Sequence, residues 1–394
     1  MINVVENKKC CGCNACEQSC PKQCIGFTID SEGFKYPLVD EARCIDCHLC
    51  EKVCPMLNAG IPSQPLSTEA MRLLDEEKRI QSSSGGVFTA VAEEIIHRGG
   101  VVFGASYTDD WHVVHTYTET IEGLASLRGS KYVQGDTCDA YSKVKEFLKE
   151  DRWVLFVGTP CQVRGLLLYL RKPYGKLITC DFVCHGVPSH DVLMAYVKDE
   201  FSKKRIKETK EVTLINFRDK ENGWHNYRLV INTKSDDCIS TPQNAFNKGY
   251  GANLYLRPSC HQCPTKNFKS GADITLADYW RVEYQHPEMD DDKGTSLIAI
   301  HTEKAKKLFD SISTLERKVV DKDKAYRIQT ALYHSMPMPA KRQEFWASDW
   351  KNDFCNVVNR IASYRTPKQK LRDIISKIIS MLGIKKYLQK LRNY

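Results

Sequence analysis

The sequence predicts a mixed α/β (α+β) core that follows a small cysteine-rich module and ends in a helical, basic C-terminal tail. Ten of the 18 cysteines lie within the first 54 of 394 residues. From residue 82 onward, strand-like and helix-like hydrophobic patterns alternate, which is typical of a sheet covered by helices. The last 35 residues carry ten Lys or Arg and a single acidic residue.

Composition restricts the class of protein. Hydrophobic residues make up 42% and charged residues 27% of the chain, which is ordinary for a globular protein with a buried core and excludes a wholly disordered one. The chain has no run of about 18 apolar residues, which is the length needed to span a membrane, and the N-terminus has no apolar signal-peptide segment. We therefore expect a cytoplasmic protein, in which clustered cysteines bind metal rather than form disulfides.

The formal net charge of +8 comes from the tail and not from the body of the protein. Residues 360–394 carry a charge of +9, from ten basic residues and Asp373, so the remaining 359 residues carry −1. A nucleic-acid-binding domain usually has a basic patch or stripe on its folded surface. The charge distribution therefore indicates no nucleic-acid partner.

Composition also divides the chain into five segments. Residues 61–81 contain prolines and serines and then a charged run, which is typical of a linker. The segments are the cysteine-rich module (1–60), the linker (61–81), the N-terminal part of the core (82–157), the C-terminal part of the core (158–345) and the basic helical tail (346–394).

Hydrophobic periodicity predicts the elements of the core in order. VFTAVAEEIIHR ends at Gly99 and Gly100, a C-cap signal for a helix, while VVFGASY is rich in β-branched and aromatic residues. The predicted helices cover 87–98, 137–150, 161–170 and 189–201. The predicted strands cover 101–107, 112–118, 153–157, 177–183, 211–217 and 226–233.

Two copies of one cysteine motif carry the strongest chemical signal. Each copy has the spacing C-x2-C-x2-C-x3-C-P, first from Cys10 to Pro21 and again from Cys44 to Pro55. This doubled spacing is typical of bacterial ferredoxins with two [4Fe–4S] clusters, in which the fourth cysteine of each copy binds the other cluster. The module is therefore predicted to be a bacterial ferredoxin-like domain. We expect one cluster on Cys10, Cys13, Cys16 and Cys54, and the other on Cys20, Cys44, Cys47 and Cys50.

A zinc module is the alternative for these cysteines. Zinc ribbons use widely separated C-x2-C pairs and rarely add third and fourth ligands followed by proline, so the spacing favours iron–sulfur clusters. Cys11 and Cys24 lie outside the pattern and are expected to be packing residues. Clusters move single electrons, so we expect a partner site elsewhere in the chain where bond chemistry takes place.

A run of hydroxyl and glycine residues, SSSGG at 82–86, opens the helix predicted over 87–98. Backbone N–H groups at a helix N-terminus favour an anion such as a phosphate group. An ordinary N-cap followed by a tight turn explains the same residues equally well. Both interpretations stay open on the sequence alone.

Four further cysteines could hold another metal group. Cys161 and Cys184 each follow a predicted strand, and Cys260 and Cys263 form a C-x2-C pair. Cofactors bind at the C-terminal edge of such sheets, and four thiolates suffice for one further [4Fe–4S] cluster. Alternatively, Cys161 and Cys184 are buried packing residues and the C-x2-C pair binds zinc.

The core also carries seven motifs in order: SSSGGVFTA, GSKYVQ, VLFVGTPCQ, CHGVPS, NFRDKENGW, LRPSCHQCP and ADITLADYW. Together they resemble the family of coenzyme F420 hydrogenase/dehydrogenase beta subunits, and the resemblance covers residues 82–345 behind the ferredoxin-like domain. What is known of this family implies bound FAD and [4Fe–4S] clusters. It also implies electron transfer between the clusters and a hydride-carrying substrate, often coenzyme F420.

The resemblance implies a flavin-binding core and names its site residues. The FAD site would be built from Ser83, Ser84, Gly85, Gly86, Ser130, Lys131, Tyr132, Gly158, Thr159 and Pro160. The resemblance also favours the third cluster on Cys161, Cys184, Cys260 and Cys263. Lys131 and His185 are the candidate catalytic residues. Lys131 would place a cation near the flavin, and His185 would deliver a proton or donate to a cluster sulfur.

These parts favour an FAD-dependent iron–sulfur oxidoreductase. A flavin connects one-electron clusters to two-electron hydride chemistry because it is stable at three redox levels. The expected partners are a ferredoxin or another redox protein and a small-molecule hydride acceptor, such as coenzyme F420. The alternative is an electron-transfer subunit of a larger redox complex with no substrate of its own.

The C-terminal tail has two alternative interpretations. Leu371, Ile374, Ile375, Ile378 and Leu382 follow helical spacing, with Lys and Arg on much of the remaining face. Such a basic amphipathic helix can attach reversibly to the anionic inner face of a membrane. Alternatively, it packs on the core or on a second copy of the chain in a homo-oligomer, because most amphipathic helices bury their apolar face in protein.

Overall fold

The computed structural model describes residues 2, 9–204, 211–235, 238–241 and 244–362. The strands are β1 (Ile25–Ile29), β2 (Lys35–Val39), β3 (Ser67–Leu73), β4 (Val101–Tyr107), β5 (Val113–Thr118), β6 (Gly135–Asp136), β7 (Val154–Val157), β8 (Leu177–Phe182), β9 (Val212–Asp219), β10 (Arg228–Thr233), β11 (Cys238–Thr241), β12 (Ile274–Asp278), β13 (Ser296–Ile300) and β14 (Leu315–Val319).

The α-helices are α1 (Ala15–Ser19), α2 (Leu49–Lys52), α3 (Glu76–Ile80), α4 (Val87–His97), α5 (Leu124–Leu127), α6 (Ala140–Lys149), α7 (Pro160–Leu170), α8 (His190–Lys204), α9 (Ala245–Gly251), α10 (Val282–Gln285), α11 (Glu303–Asp310), α12 (Lys322–Tyr326), α13 (Thr330–Tyr333), α14 (Arg342–Trp346) and α15 (Phe354–Ala362). No helix in this described part of the chain has the length and apolar character needed to cross a membrane.

Nine strands form one mixed sheet in the order β14-β3-β13-β12-β8-β7-β4-β5-β6. Strands β12, β8, β7 and β4 run parallel, which brings their C-terminal ends to one edge. The flanking strands pair antiparallel, β13 with β12 and β5 with β4. The expected mixed α/β core is therefore present, and its parallel centre creates the edge at which a cofactor can bind.

Alternating side chains bury both faces of this sheet. Val102 of β4 packs in the cluster that contains α4, whereas Phe103 packs in the cluster that contains α6 and α7. Val154, Leu155 and Phe156 of β7 are all fully buried, which is typical of a central parallel strand covered on both sides. The helices thus hold the sheet edge in a fixed position.

The elements predicted from periodicity are confirmed with small shifts of their ends. The predicted helices correspond to α4, α6, α7 and α8, and the predicted strands to β4, β5, β7, β8, β9 and β10. Strands β12, β13 and β14 complete the large sheet without a prediction from the sequence.

Residues 61–81 contribute to the large sheet, so the expected linker is wrong over much of its length. Strand β3 lies between β13 and β14 and pairs antiparallel with both. Ala70, Met71 and Leu73 on this strand are at most 1% exposed. The prolines before β3 and the charged residues of α3 made the whole segment look like a linker, although a buried strand lies between them.

A second core joins the three-stranded antiparallel sheet β11-β10-β9 to helices α8, α9 and α15. Its buried residues include Phe246 of α9, Phe345 of α14 and Phe354 of α15. Residues 346–362, expected in the tail, are therefore a packed part of this core. The amphipathic pattern that begins at Leu371 lies outside the described residues.

The cysteine-rich module packs against the core through a fully buried arginine. Arg257 Nε donates to the Cys10 carbonyl at 2.6 Å, and Nη2 donates to the Lys35 carbonyl at 2.7 Å. Nη1 donates to Gln134 Oε1 at 2.8 Å. The guanidinium carbon lies 4.5 Å from the centre of the Tyr36 ring. One core side chain thus satisfies acceptors in two separate turns of the module.

Replacing Arg257 should loosen the module from the core. Arg257→Met leaves two backbone carbonyls without their donor, and each unpaired buried group costs about 1–3 kcal/mol. The midpoint of urea-induced unfolding should fall, and limited proteolysis should release the module more readily. Arg360→Met is the matched control, because Arg360 is 61% exposed and its ion pair with Glu344 contributes little. Equal midpoints for the two variants would contradict this role of Arg257.

Candidate iron–sulfur and cofactor site

The C-terminal ends of β7, β8 and β12 lie side by side at one edge of the large sheet. The Gly158 N–H donates to the Cys180 carbonyl, and the Val183 N–H donates to the Leu276 carbonyl, so hydrogen bonding continues past the strand ends. Residues that are distant in sequence therefore meet here. Two adjoining cavities open from this edge.

The four cysteines of the expected third cluster line one of these cavities, the cysteine cavity, which has about 800 Å³ of space including the part open to solvent. Cys161 lies in the first turn of α7, and Cys184 follows β8. Cys260 and Cys263 lie in and just after the short 3-10 helix Pro258–Gln262. The fold thus brings together four thiols from three separate segments of the chain.

Burial opposes the ionisation of these thiols. It raises the pKa of the Cys184 thiol to about 12 and also raises the pKa values of Cys260 and Cys263. Metals bind the thiolate form, so bound cations would supply the positive charge that four buried thiolates need. The chemistry of this donor set fits an iron–sulfur cluster.

The described side-chain groups that lie close enough to hold a single metal ion are elsewhere in the chain. Zinc holds its sulfur ligands at about 2.3 Å, so the sulfurs around one ion lie within about 4 Å of one another. Among the described residues, the groups of three ligand atoms within 4.8 Å of one another are Asp199–Glu200–Cys355 and His225–Glu283–Asp290. Neither group contains a cysteine of the expected sets.

The cysteines of the doubled motif lie together in the module, and each expected set has neighbouring members. Cys20, Cys44, Cys47 and Cys50 line, together with Cys24, a cavity within the module that has about 360 Å³ of space including the part open to solvent. Cys47 is exposed, so this set lies at the protein surface. In the other set, burial and the nearby thiols of Cys10 and Cys54 raise the pKa of Cys16. We refer to these as the outer set and the inner set of the module.

Cys11, which the sequence analysis expected to be a packing residue, lines the cysteine cavity beside Cys161. Hydrogen bonding to Cys13 and burial outweigh the opposing effect of Cys161 and raise the pKa of Cys11. A Cβ at Gly165 of α7 would lie 3.2 Å from Cys13 Sγ, so the helix that carries Cys161 packs closely on the inner set. Cys11 is thus a protonated thiol between two expected cluster ligands.

The second cavity is a large cleft of about 1870 Å³, including the part open to solvent. The residues expected to bind FAD that line it are Ser83, Ser84, Gly86, Ser130, Lys131, Tyr132, Gly158 and Thr159. Pro160 lines the cysteine cavity instead. Residues 182–187 belong to the walls of both cavities. The expected cofactor residues and the core cysteines therefore share one wall.

Specific contacts hold the loop at residues 82–86. Ser83 Oγ accepts hydrogen bonds from the Ser130 N–H at 2.7 Å and the Ser130 hydroxyl at 2.9 Å. A Cβ at Gly85 would lie 2.5 Å from the Met71 carbonyl oxygen, and Gly86 has a φ of +81° at the N-cap of α4. The backbone therefore requires both glycines, whether or not a phosphate binds.

Lys220 fixes the same loop from the three-stranded sheet, a role that the sequence did not indicate. Its Nζ donates to the carbonyls of Ser84 at 2.7 Å, Arg79 at 2.8 Å and Lys293 at 2.7 Å. Burial lowers the pKa of Lys220 to about 7. Its position in the NFRDKENGW motif was the available signal.

The Gly158–Pro160 loop starts α7 with a reciprocal cap. The Thr159 N–H donates to Gln162 Oε1 at 2.9 Å, and Pro160 occupies the first helical position, where its missing N–H is harmless. Thr159 Oγ1 lies 3.2 Å from Cys161 Sγ. Thr159 therefore lies between the cleft and the cysteine cavity.

Lys131 and His185 both line the cleft, and His185 also lines the cysteine cavity. Lys131 Nζ donates to the carbonyls of Arg128 at 3.1 Å and Gly129 at 3.3 Å, and burial lowers its pKa to about 8. His185 Nε2 donates to Asn253 Oδ1 at 2.7 Å, and burial lowers its pKa, so the ring is neutral at neutral pH.

Sequence reasoning missed His115 and Arg218, two buried residues of the cleft wall. His115 Nε2 donates to the Val157 carbonyl at 3.1 Å, and burial lowers its pKa to about 4, so Nδ1 is an acceptor. Neither His115 Nδ1 nor Arg218 Nε has a hydrogen-bond partner among the described residues. Folded proteins rarely leave such groups unpaired, so the cleft fits a polar ligand that both accepts and donates.

Comparison with known proteins confirms the resemblance seen in the motifs. Residues 151–324 match the family model for the C terminus of the coenzyme F420 hydrogenase/dehydrogenase beta subunit, and residues 9–58 match the 4Fe–4S dicluster domain. The F subunit of F(420)H(2) dehydrogenase from Methanosarcina mazei is 22% identical over 329 residues, which span 79% of this chain and 84% of that protein.

Among solved structures, the F420-reducing [NiFe] hydrogenase complex from Methanosarcina barkeri contains a similar chain. The superposition has a TM-score of 0.49 and a sequence identity of 20%. It covers 69% of this chain and 88% of that chain.

Removing a cysteine of the cysteine cavity should remove one cluster. Cys161→Ala and Cys263→Ala should each lower the iron content by about four atoms per chain and leave the module clusters in place. Iron and acid-labile sulfide measured after anaerobic purification test this. Cys180→Ala is the matched control, because Cys180 is buried in β8 and lines neither cavity. Full iron content in both ligand variants would show that these cysteines only pack.

Proposed function

Because the chain belongs to the family of coenzyme F420 hydrogenase/dehydrogenase beta subunits and carries a 4Fe–4S dicluster domain, we propose that it is an FAD-dependent iron–sulfur oxidoreductase. It transfers electrons between its clusters and a soluble substrate that gives or takes a hydride. Coenzyme F420 is the first candidate for that substrate, since the names of the family and of its relative in Methanosarcina mazei refer to it.

The observation that carries this proposal is the shared wall of the two cavities. Residues 182–187 line both the cysteine cavity and the large cleft. A flavin in the cleft would lie against the segment that carries Cys184. When bound, it would supply the exchange between one-electron and two-electron chemistry.

The order of the cysteine sets supports a route for electrons through the chain. The outer set lies at the surface, where a redox partner protein can reach Cys47. The inner set follows, and Cys13 of that set lies beside Cys11, which lines the cysteine cavity with Cys161. Electrons would therefore pass from the outer set through the inner set to the core cysteines, or in the reverse direction. The core cysteines are Cys161, Cys184, Cys260 and Cys263.

The residues of the cleft have separate roles in this proposal. The loop at residues 82–86 and Ser130 would bind the FAD phosphates with backbone N–H and hydroxyl groups at the start of α4. Lys131 would supply a positive charge beside them. His185 would deliver or accept the proton that accompanies the hydride, since its ring lies between the cleft and the core cysteines.

An electron-transfer subunit with no substrate of its own is the second candidate. The relative in Methanosarcina mazei is named as a subunit of a dehydrogenase, which favours a role inside a complex. Both candidates need the cysteine sets, and they differ in whether the cleft accepts a free substrate.

Anaerobic purification separates the two candidates. The oxidoreductase should contain about twelve iron atoms per chain and releasable FAD, and one of coenzyme F420, NAD and NADP should be reduced when dithionite supplies electrons. A chain with reducible clusters and flavin that reduces none of the three would favour the subunit. A chain that holds iron but no flavin under any condition would contradict the proposed enzyme.

FAD affinity should fall as pH rises through about 8. The pKa of Lys131 is lowered to about 8, so its ammonium group is charged below that pH and neutral above it. An anionic phosphate gains attraction only from the charged form. Lys131→Gln should bind FAD more weakly at pH 7 and show a flat profile across this range, measured by flavin fluorescence. A variant that retains the wild-type profile would place the titrating group elsewhere.

A further inference from the structure

Arg218 extends from the three-stranded sheet into the cleft wall, and its Nε–H donor has no partner among the described residues there. The residue is 4% exposed. Its Nη1 donates to Asp278 Oδ2 at 2.9 Å and to Tyr132 Oη at 3.2 Å, and its Nη2 donates to Asp278 Oδ1 at 3.2 Å. Its Nε has no hydrogen-bond partner among the described residues.

Aromatic rings prevent the guanidinium from turning to satisfy that donor. The guanidinium carbon lies 3.9 Å from the centre of the Tyr227 ring and 5.2 Å from the centre of the Trp280 ring. Both Nη groups are fixed by Asp278, so the Nε–H direction is fixed as well. Buried donors of folded proteins are rarely left unpaired. A ligand in the cleft would bring an acceptor to this wall, because Arg218 lines the cleft together with Tyr227 and Trp280.

A chain of contacts connects Arg218 to the wall that the cleft shares with the cysteine cavity. Its partner Tyr132 lies 5.3 Å from the Tyr250 ring, and Tyr250 lies 4.9 Å from the His185 ring, measured between ring centroids. The Tyr250 hydroxyl donates to the Gly186 carbonyl at 3.0 Å. The unused donor therefore lies on the side of the cleft where a ring that exchanges electrons with the core cluster has to bind.

We infer that the Arg218 Nε–H donates to the flavin ring and that the Arg218–Asp278 pair sets the flavin's reduction potential. This inference rests on the proposed function. Two electrons from the clusters and one proton convert oxidised flavin into its anionic reduced form. A fixed positive charge and a donor beside the ring stabilise that added negative charge, and the Asp278 carboxylate opposes the effect.

Two single variants should move the potential in opposite directions. Arg218→Met removes the donor and the positive charge, so the equilibrium constant for two-electron reduction should fall at least tenfold, which corresponds to about 30 mV. Asp278→Asn leaves the positive charge of Arg218 unopposed, so the same constant should rise. The midpoint potential of the bound flavin, measured by anaerobic dye-linked titration, reports both changes without any substrate.

The double variant Arg218→Met/Asp278→Asn controls for folding, because it removes both buried charges together. Its potential should lie between that of Arg218→Met and that of the wild type. A purely structural ion pair would give the two single variants the same effect, since each breaks the same contact. If both single variants retain their flavin and their potentials shift in the same direction, or do not shift at all, the inference is overturned. A wild-type chain that binds no flavin would overturn the proposed function as well.

Discussion

One fully buried residue, Arg257, contacts the cysteine-rich module, the core cysteines and the wall between the two cavities. Its side chain donates to the Cys10 carbonyl and so fixes the inner set of the module. Its backbone N–H donates to the Val187 carbonyl, and its carbonyl accepts from the Cys260 N–H. The same residue therefore connects the module, the core cysteines and the wall between the two cavities. Further core side chains support the same alignment, because Thr137 donates to the Cys13 carbonyl and Gln134 donates to the Cys11 carbonyl.

The parts that could be predicted from sequence are those whose geometry is local. The doubled cysteine motif predicts eight ligands because each turn presents its thiols within a few residues, and motifs of similar length indicated the loops that line the cleft. Strand β3 was missed because a single seven-residue strand between prolines and charged residues has no local signal for its antiparallel partners. His115 was missed for a related reason, since its buried ring contacts Phe156 and Val157 of β7, which is distant in sequence.

Local motifs also show why a residue pattern alone does not identify a ligand. Gly85 and Gly86 are required by close packing on Met71 and by a left-handed backbone, so their presence says nothing about a phosphate. Thr159 and Pro160 are likewise explained by the start of α7. The His115 Nδ1 and Arg218 Nε atoms are different, because both residues line the cleft and these atoms have no hydrogen-bond partner among the described residues. The strongest structural argument for a cofactor therefore comes from residues that the sequence did not single out.

The two sheets contribute different residues to the wall of the cleft. The large sheet supplies the edge at which β7 and β8 end, and with it Cys161 and Cys184, which would hold a cluster under the proposed function. The three-stranded sheet supplies Arg218 and Lys220, which contact Asp278 and the loop at residues 82–86. A ligand between them would be oriented by the small sheet and supplied with electrons by the large one. Changes of substrate within this architecture would therefore require changes mainly in the small sheet, because every change at the large-sheet edge also affects the buried thiols.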